Sequence, residues 1–369
     1  MHIGIVGCGQ LARMMALSGW RLGFRFSFIA DPGETTQGVA ELGDIVELTP
    51  ELNGEALYKA LGEPDVITVE REHVDTALLK TLEPFCPVCP NPDAIGISQH
   101  RGREKSYMRS KGVPTAPFHV ATTTDGLRQA VEELGYPVFV KTCEEGYDGR
   151  GQWKLNDDSQ FDAMIAELPT QYELIVEGQI NFDREVSQIA VRTPDGRCAF
   201  YPLTENQHQN GILISSLAPA AEPDSALAQQ AEQIAQRLLE EMDYVGILSI
   251  EFFVVGEQLL VNEIAPRVHN SGHWTQGAGI ASQFENHVRG ITNSALGESK
   301  PQCHAAMINL LGEKAPEDVI NHGNVQLHQY NKSLRPNRKV GHINLWDIDR
   351  ARLVSKVAQL REAIAEANQ

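Results

Sequence analysis

Positive charge and long apolar runs are scarce in this sequence. Lysine and arginine together number 31 against 49 aspartates and glutamates, which gives a formal net charge of −18. Nucleic acids and acidic membrane surfaces bind through basic patches, so this balance argues against both as partners. No uncharged apolar run reaches the length of a membrane span and no basic secretory leader stands at the start, so we expect a cytoplasmic protein. Small anionic substrates would then need lysine and arginine concentrated locally.

Cysteine is also sparse, and its distribution excludes a disulfide framework. The six cysteines stand at positions 8, 86, 89, 143, 198 and 303. This scatter suits a reducing compartment, and no disulfides are predicted. Cys86 and Cys89 have the spacing of a redox motif or of half a zinc site. A second pair at metal spacing is missing, however, and the flanking prolines favour a plain linker between domains.

The beginning of the chain has the pattern of a phosphate-binding α/β domain. Residues 2–7 predict a buried strand, and residues 7–12 (Gly-Cys-Gly-Gln-Leu-Ala) predict a turn into a helix. Such a turn can direct backbone N–H groups at a phosphate. As an NAD fingerprint it is incomplete, because Ala12 stands where a third glycine is usual, so another phosphate or plain packing is favoured. The next strand ends at Glu70 and Glu72, which are either ligand contacts or solvated loop acids.

Two apolar runs around a glycine turn predict a β-hairpin at residues 247–264 that carries acidic side chains. A three-residue turn would place Glu251 opposite Glu263, about 4.5–5.5 Å apart, whereas a two-residue turn would place Asn262 there. Facing carboxylates repel unless a cation lies between them, and Mg²⁺ prefers such hard oxygen ligands. Two solvated surface glutamates are the alternative. The polar continuation at 266–270 (Pro-Arg-Val-His-Asn) makes that alternative less favourable.

Basic and glycine-rich segments accompany the other predicted strands. Lys141 ends a strand, and residues 146–152 (Gly-Tyr-Asp-Gly-Arg-Gly-Gln) form a loop that can bring backbone N–H groups to phosphate oxygens. The loop lacks the Walker ending, and a glycine-rich hairpin turn is its alternative. Residues 172–203 predict an antiparallel α+β region. The basic cluster 335–342 lies in a turn between strands and is either a phosphate anchor or a solvated turn.

In combination, these segments resemble the ATP-grasp enzymes, and among them the N5-carboxyaminoimidazole ribonucleotide synthetase family, over about residues 1–345. The segments that carry the resemblance are Gly9-Gln10-Leu11-Ala12-Arg13-Met14, the loop 146–152, Tyr201-Pro202-Leu203-Thr204-Glu205-Asn206, residues 262–275 (Asn-Glu-Ile-Ala-Pro-Arg-Val-His-Asn-Ser-Gly-His-Trp-Thr) and Arg338-Lys339-Val340-Gly341-His342. The resemblance implies an α/β and α+β fold in three parts. These are an N-terminal doubly wound βαβ (pre-ATP-grasp) domain at 1–98, an ATP-grasp domain at 99–300 with a lid subdomain at about 112–182, and a small C-terminal β-rich domain with a closing helix at 301–369.

The resemblance implies an ATP-dependent ligase of purine biosynthesis. It would join bicarbonate to 5-aminoimidazole ribonucleotide by way of carboxyphosphate, releasing ADP and phosphate. ATP and Mg²⁺ are the implied cofactors, with the metal held by Glu251 and Glu263. The implied ATP-binding residues are Arg101, Lys141, Gly146, Tyr147, Asp148, Gly149, Arg150, Gly151, Gln152, Glu177, Gly178, Gln179, Ile180, Glu185, His208, Asn262 and Glu263.

The resemblance also implies where the two other substrates bind. Arg267, His269 and the backbone of Asn270 would surround bicarbonate with a cation and two donors. Asp148 would handle a proton as the amine attacks. The implied catalytic residues are Tyr147, Asp148, Arg267, His269 and Asn270. The implied ribonucleotide-binding residues are Glu70, Tyr147, Asp148, Arg150, Arg338 and Lys339.

The implied partners are these small molecules and a second copy of the chain in a homodimer. Three other functions remain open. Another ATP-grasp ligase, of the formate-dependent glycinamide ribonucleotide transformylase type, is disfavoured by the sequence His-Asn-Ser-Gly-His-Trp at 269–274. A silent nucleotide-binding regulator would have lost a metal ligand, whereas Glu251, Asn262 and Glu263 are all present. A nicotinamide oxidoreductase rests on residues 7–12 alone. The chemistry of residues 271–274 suggests no role.

Overall fold

The computed structural model describes residues 1–144, 151–168, 172–221, 225–321 and 323–368, and the strands within them form three sheets. The strands are β1 (His2–Val6), β2 (Arg25–Ala30), β3 (Asp44–Glu47), β4 (Val66–Val69), β5 (Phe118–Ala121), β6 (Val138–Thr142), β7 (Gln152–Leu155), β8 (Leu174–Gly178), β9 (Arg184–Arg192), β10 (Cys198–Phe200), β11 (Thr204–Gln209), β12 (Ile212–Ala218), β13 (Gly246–Val255), β14 (Gln258–Ala265), β15 (His304–Leu311), β16 (Val325–Gln329) and β17 (Lys339–Asp347).

Helices pack around these sheets. Within the described ranges the α-helices are α1 (Gln10–Trp20), α2 (Gly54–Ala60), α3 (Thr76–Leu82), α4 (Pro92–Ser98), α5 (Arg101–Ser110), α6 (Thr124–Leu134), α7 (Asp158–Glu167), α8 (Ala226–Glu241), α9 (Gln283–Ile291) and α10 (Arg350–Ala367), and the 3₁₀-helices are Asn270–Gly277 and Val319–Asn321. Many of the α-helices begin where a short polar side chain accepts hydrogen bonds from the first turn, which satisfies N–H groups that the helix leaves open. Asp75, Thr123 and Ser225 are examples. No helix in the described ranges is long and apolar enough to cross a membrane.

The N-terminal part is a parallel sheet in the order β3-β2-β1-β4. All five residues of β1 are buried, as expected of a parallel strand covered on both faces. Helix α1 follows β1 directly through the glycine turn and packs against α9 of the central part. The predicted βαβ domain is therefore confirmed. The carboxyl ends of β1 and β4 deliver Gly9 and Glu70 to the same edge of this sheet.

Nine of the described strands form the central antiparallel sheet, whose main path is β14-β13-β9-β11-β12-β15-β17-β16, with β10 beside β9. Strand β15 pairs with β12, so the C-terminal strands extend this sheet and do not form a separate one. Helix α8 buries Ile234, Leu238 and Leu239 in a core with β13 and β14. Strand β14 is left at the edge of the sheet.

A smaller antiparallel sheet in the order β5-β8-β6-β7 lies within the segment expected to be the lid subdomain. Helices α6 and α7 supply Leu127, Val131 and Phe161 to the core beneath it. Helix α6 ends at Gly135, whose positive φ of +71° glycine adopts without strain. This sheet carries Lys141 and Glu177 toward the central sheet.

Candidate active site

A cavity of about 1440 Å³ lies between the three sheets. It is larger than most pockets for one small molecule and has room for two ligands. The predicted site residues that line it are Glu70, Arg101, Lys141, Gln152, Glu177, Gly178, Ile180, Glu185, His208, Glu251, Asn262, Glu263, Arg267, His269, Asn270 and Lys339. Gly151, Gln179 and Arg338 do not line it. The predicted contacts of Gly146, Tyr147, Asp148, Gly149 and Arg150 lie outside the described residues.

The hairpin of β13 and β14 brings Glu251 opposite Glu263. Of the two turn lengths that the sequence leaves open, the structure has the two-residue turn, because Val255 pairs with Gln258. A regular ladder from that turn would place Asn262 opposite Glu251. A β-bulge on β14 adds one residue at Asn262, which shifts the register and restores the pairing of the two glutamates.

The paired carboxylates suit a divalent cation. Glu251 is largely buried, with its side chain 14% exposed. Burial, together with the charge of Glu263, raises the pKa of Glu251 to about 7. A cation between the two carboxylates would remove that repulsion, and oxygen ligands of this kind fit Mg²⁺. The residues present therefore fit the metal that the sequence implies.

Glu177, which lines the cavity, lies between two ammonium groups. Nζ of Lys141 donates to Oε2 of Glu177 at 2.7 Å, and Nζ of Lys105 lies 3.3 Å from the other carboxylate oxygen. Burial alone would raise the pKa of Glu177, but the two ammonium groups lower it to about 2. Arg101 donates to the carbonyl oxygen of Thr142 at 2.7 Å. Cationic groups from α5 and β6 thus meet here, and a phosphate is a ligand that such groups could bind.

Glu185 and His208 are neighbours on β9 and β11. Nδ1 of His208 and Oε2 of Glu185 are 2.9 Å apart. Burial lowers the pKa of His208, but the hydrogen bond with Glu185 and the charge of Glu251 outweigh it, so the pKa is raised overall. The sequence expectation that both residues belong to one end of the site agrees with this geometry.

Arg267 lines the same cavity as Glu251 and Glu263 and already has a partner. Its Nε donates to Oε2 of Glu72, and its Nη1 donates to the carbonyl oxygen of Val268 at 3.0 Å. Burial would raise the pKa of Glu72, but the guanidinium lowers it to about 2. The pair fixes the plane of the guanidinium at the cavity wall, where a small carboxylate could meet its remaining N–H groups.

His269 faces the cavity as a neutral donor. Burial, followed by the charge of Arg267, lowers the pKa of its imidazole well below the usual value. Nδ1 accepts from the backbone N–H of Ser271 at 3.3 Å, so the proton of the neutral ring is on Nε2. That nitrogen lies 3.6 Å from Oε1 of Glu251. Asn270 is held by a reciprocal pair of amide hydrogen bonds with Asn309.

The glycine turn before α1 holds a carboxylate of its own chain in place of a phosphate. Backbone N–H groups of Gly9 and Ala12 donate to the two oxygens of Glu70 at 2.5 and 2.9 Å. A Cβ at Gly7 or Gly9 would come within 2.5–2.6 Å of Glu70, which explains both glycines. Of the alternatives that the sequence leaves open for this turn, the contact with Glu70 supports plain packing, and it gives the weak dinucleotide motif no support.

Comparison with known proteins agrees with this geometry. Three family models match the chain, the ribonucleotide synthetase preATP-grasp domain at residues 1–99, the ATP-grasp domain at 106–284 and the phosphoribosylaminoimidazole carboxylase C-terminal domain at 305–356. N5-carboxyaminoimidazole ribonucleotide synthase of Pseudomonas aeruginosa is 40% identical over 368 residues, which cover 100% of both chains. The chain belongs to the N5-carboxyaminoimidazole ribonucleotide synthase family.

Solved structures of this family have the same fold. The crystal structure of the synthetase from Thermus thermophilus superposes with a TM-score of 0.90 at 42% identity, covering 98% of each chain. The enzyme from Aspergillus clavatus, crystallised in complex with ADP and 5-aminoimidazole ribonucleotide, superposes with a TM-score of 0.87 at 26% identity over 99% of this chain and 98% of that one. The ATP-grasp fold, the ATP-dependent ligase class and ATP binding predicted from the sequence are thereby confirmed.

Several residues that line or support this family's site here were missed by sequence reasoning. Lys332, which donates to the side chain of Gln10, lines the cavity together with Lys339. Glu104 also lines it, and burial raises the pKa of Glu104 to about 8. Lys332 stands just before the basic cluster 335–342, and this proximity was the available signal.

The segment from Ser271 to Trp274, which suggested no role, is structural. Oγ of Ser271 hydrogen-bonds Oγ of Ser187 at 2.8 Å, and Nε1 of Trp274 donates to Oγ1 of Thr204 at 3.0 Å. Both residues are fully buried. The segment therefore fastens the loop that carries His269 and Asn270 to strands β9 and β11.

His100, Cys143 and Glu173 bring one possible ligand atom each within 4.8 Å of one another. Nδ1 of His100 accepts from the backbone N–H of Arg103 at 3.0 Å, so a neutral ring carries its proton on Nε2. Nε2 lies 3.2 Å from Glu173 and is occupied as a donor. A metal would need the lone pair of that same nitrogen, so this group is better explained as a hydrogen-bonded contact between α5 and β8.

Proposed function

We propose that this chain carboxylates 5-aminoimidazole ribonucleotide with bicarbonate and ATP, giving the N5-carbamate, ADP and phosphate. The observation that carries the proposal is the arrangement inside the cavity. The same cavity is lined by the proposed nucleotide-binding residues Lys141 and Glu177, by the acid pair Glu251 and Glu263 with Arg267, and by the cations Lys332 and Lys339. The homodimer and the cytoplasmic location implied by the family resemblance belong to the same proposal.

The first step would transfer the γ-phosphoryl group of ATP to bicarbonate. A bicarbonate oxygen attacks the phosphorus and ADP leaves, giving carboxyphosphate. Lys141 and Arg101 would hold the phosphates, and Glu251 and Glu263 would hold Mg²⁺, which offsets the charge that develops on them. The guanidinium of Arg267 and the Nε2–H of His269 would orient the bicarbonate and stabilise its negative oxygens. The neutral ring that the lowered pKa of His269 favours carries the Nε2–H for this contact.

In the second step the amine nitrogen attacks the carbonyl carbon, the bond to phosphate breaks, and the nitrogen loses a proton. We assign the handling of that proton to Asp148, and contacts to the ribonucleotide to Tyr147, Arg150 and Glu70, on the family resemblance. The glycine loop would close over the phosphates and exclude water from carboxyphosphate. Glu70 lines the cavity through the carboxylate that also caps α1.

The choice of substrates is tested by ADP release. The protein is incubated with ATP and bicarbonate plus 5-aminoimidazole ribonucleotide, and in parallel with ATP and formate plus glycinamide ribonucleotide. We expect ADP in the first mixture and background in the second. ADP that forms with glycinamide ribonucleotide and formate alone would replace this proposal with the transformylase alternative, and ADP in neither mixture would favour a silent regulator.

Lys339→Ala is expected to raise the KM for the ribonucleotide about tenfold to a hundredfold while changing kcat little, because a charge-assisted contact to its phosphate is lost. Lys339 begins β17 and lines the cavity, whereas Arg338 beside it donates to Ser333 and does not. Steady-state kinetics with the ribonucleotide varied measures the effect. Lys314→Ala, an exposed lysine of the same C-terminal region, is the control. An unchanged KM in Lys339→Ala would show that Lys339 does not bind the phosphate of the ribonucleotide.

Metal binding is expected to weaken as the pH falls below about 7 and to release a proton there. The metal-free pKa of Glu251 is raised to about 7, so its carboxyl is neutral below that pH and must ionise to bind a cation. Apparent affinity should then drop by up to about tenfold for each pH unit. Calorimetric titration of the ADP complex with Mg²⁺ at pH 6 and pH 8, in buffers of different ionisation heat, measures both quantities. Equal affinity at the two pH values would contradict the assignment.

A further inference from the structure

Two adjacent side chains of α5, Glu104 and Lys105, hydrogen-bond to the backbone of the β-bulge on the edge of β14 that faces away from β13. Strand β14 is at the edge of the central sheet, so none of the described strands pairs with its outer N–H and C=O groups, although residues 114–115 bridge to it at Val261. Nζ of Lys105 donates to the carbonyl oxygen of Asn262 at 2.9 Å. The backbone N–H of Ile264 donates to Oε1 of Glu104 at 2.5 Å. The two contacts stand on either side of Glu263.

The side chains of Glu104 and Lys105 are both deeply buried, which is unusual for glutamate and lysine. Glu104 is 4% exposed and Lys105 is 3% exposed. Lys105 does not line the cavity, and its ammonium lies against Glu177 at 3.3 Å. A buried ammonium needs hydrogen-bond acceptors around it. The carbonyl oxygen of Asn262, in the bulge, is one such acceptor for Lys105. Just before the bulge, the backbone N–H of Val261 donates to the carbonyl oxygen of Pro114 at 2.8 Å.

We propose that Glu104 and Lys105 are positioning residues that hold this bulge and thereby keep Glu263 opposite Glu251. If the bulge were lost, the two-residue turn would pair Asn262 with Glu251 and turn Glu263 to the opposite face of the strand. The metal site would then lose one of its two carboxylates. This inference rests on the metal site of the proposed function, because Glu104 and Lys105 would act by keeping Glu263 opposite Glu251.

A positioning role predicts that metal affinity falls further than nucleotide affinity. Lys105→Met removes the ammonium and keeps the length of the side chain. We expect it to weaken metal binding to the ADP complex about tenfold to a hundredfold, as changes to groups that orient metal ligands do. Affinity for ADP in the presence of EDTA should fall less than that, because Lys105 lies against Glu177 but Lys141 keeps its own contact with that carboxylate. Mn²⁺ serves as the probe for the metal, read by electron paramagnetic resonance on the full-length protein.

Glu104 offers a matched pair of variants. Glu104→Gln keeps an oxygen that can accept from the N–H of Ile264, whereas Glu104→Leu removes it. We therefore expect Mn²⁺ affinity near that of the wild type in Glu104→Gln and about tenfold weaker binding in Glu104→Leu. Lys111→Met is the control for loss of a lysine ion pair at the end of the same helix, because Lys111 pairs with Glu241 away from the cavity.

The outcomes separate this inference from the proposed metal site. If the wild-type ADP complex binds no Mn²⁺, or if Glu263→Gln binds it equally well, the metal site itself is wrong. If the wild type binds Mn²⁺ and Lys105→Met binds it equally well, or loses at least as much affinity for ADP in EDTA as for Mn²⁺, the positioning role is overturned and the metal site stands. Should Lys105→Met fail to fold, the Glu104 pair decides, since equal Mn²⁺ affinity in Glu104→Gln and Glu104→Leu would also overturn the role.

Discussion

Glu263→Gln is expected to abolish ATP-dependent ADP formation, lowering kcat by roughly a thousandfold or more, while the protein stays folded. The amide has the size of the carboxylate but no charge, so it cannot neutralise a divalent cation together with Glu251. The side chain of Glu263 is exposed, so its replacement removes no core packing. A coupled assay of ADP release, with thermal unfolding followed by circular dichroism, measures the two quantities.

Glu257→Gln is the matched control for that variant. Glu257 lies in the two-residue turn of the same hairpin and is exposed, so the substitution makes the same chemical change away from the cavity. We expect its turnover to equal that of the wild type. Near-normal turnover in Glu263→Gln would contradict a metal role for this carboxylate. A fall in the turnover of both variants would indicate that substitutions anywhere in the hairpin disturb activity, and not that Glu263 binds the metal.

Local pattern was enough to predict the hairpin but not its register. Apolar runs and a glycine turn identified β13 and β14, but they left open whether a three-residue turn places Glu263 opposite Glu251 or a two-residue turn places Asn262 there. The structure places Glu263 opposite Glu251 with a two-residue turn and a bulge at Asn262. One more residue in the turn and one bulge on β14 each shift the register by one residue. Both arrangements therefore pair the same side chains, and the sequence pattern does not distinguish them.

What the sequence could not reveal depends on contacts between distant segments. The sequence left open whether Glu70 meets a ligand and whether the glycine turn holds a phosphate or only packs, and 58 residues separate Ala12 from the carboxylate that fills its turn. Lys105 and Asn262 are 157 residues apart. At the basic cluster, Lys339 lines the cavity, whereas Arg338, which lies just before β17, donates to Ser333. Composition and motifs show that such residues are polar, but they do not predict which distant residues these side chains contact.

Arg267→Met is expected to damage both catalysis and stability, for separable reasons. Loss of the guanidinium removes the cation proposed to hold bicarbonate, and kcat/KM for bicarbonate should fall about a hundredfold to a thousandfold. It also leaves Glu72 without its partner. The pKa of Glu72 is lowered to about 2 by Arg267 against the opposing effect of burial, so stability from this pair is present above the ordinary carboxyl pKa of 4.5. At pH 7 the variant should lose about 3 kcal/mol of unfolding free energy.

The double variant Arg267→Met with Glu72→Gln distinguishes the two roles. Removing the orphaned carboxylate should recover about 2 kcal/mol of the unfolding free energy, because a neutral amide is far less costly to leave buried. Activity should stay as low as in Arg267→Met, since no cation is restored for bicarbonate. Urea unfolding at pH 7 and kinetics with bicarbonate varied measure the pair of effects. Activity that returns with stability in the double variant would mean that Arg267 acts only by supporting the fold, and the bicarbonate site would then have to lie with His269 and its neighbours alone.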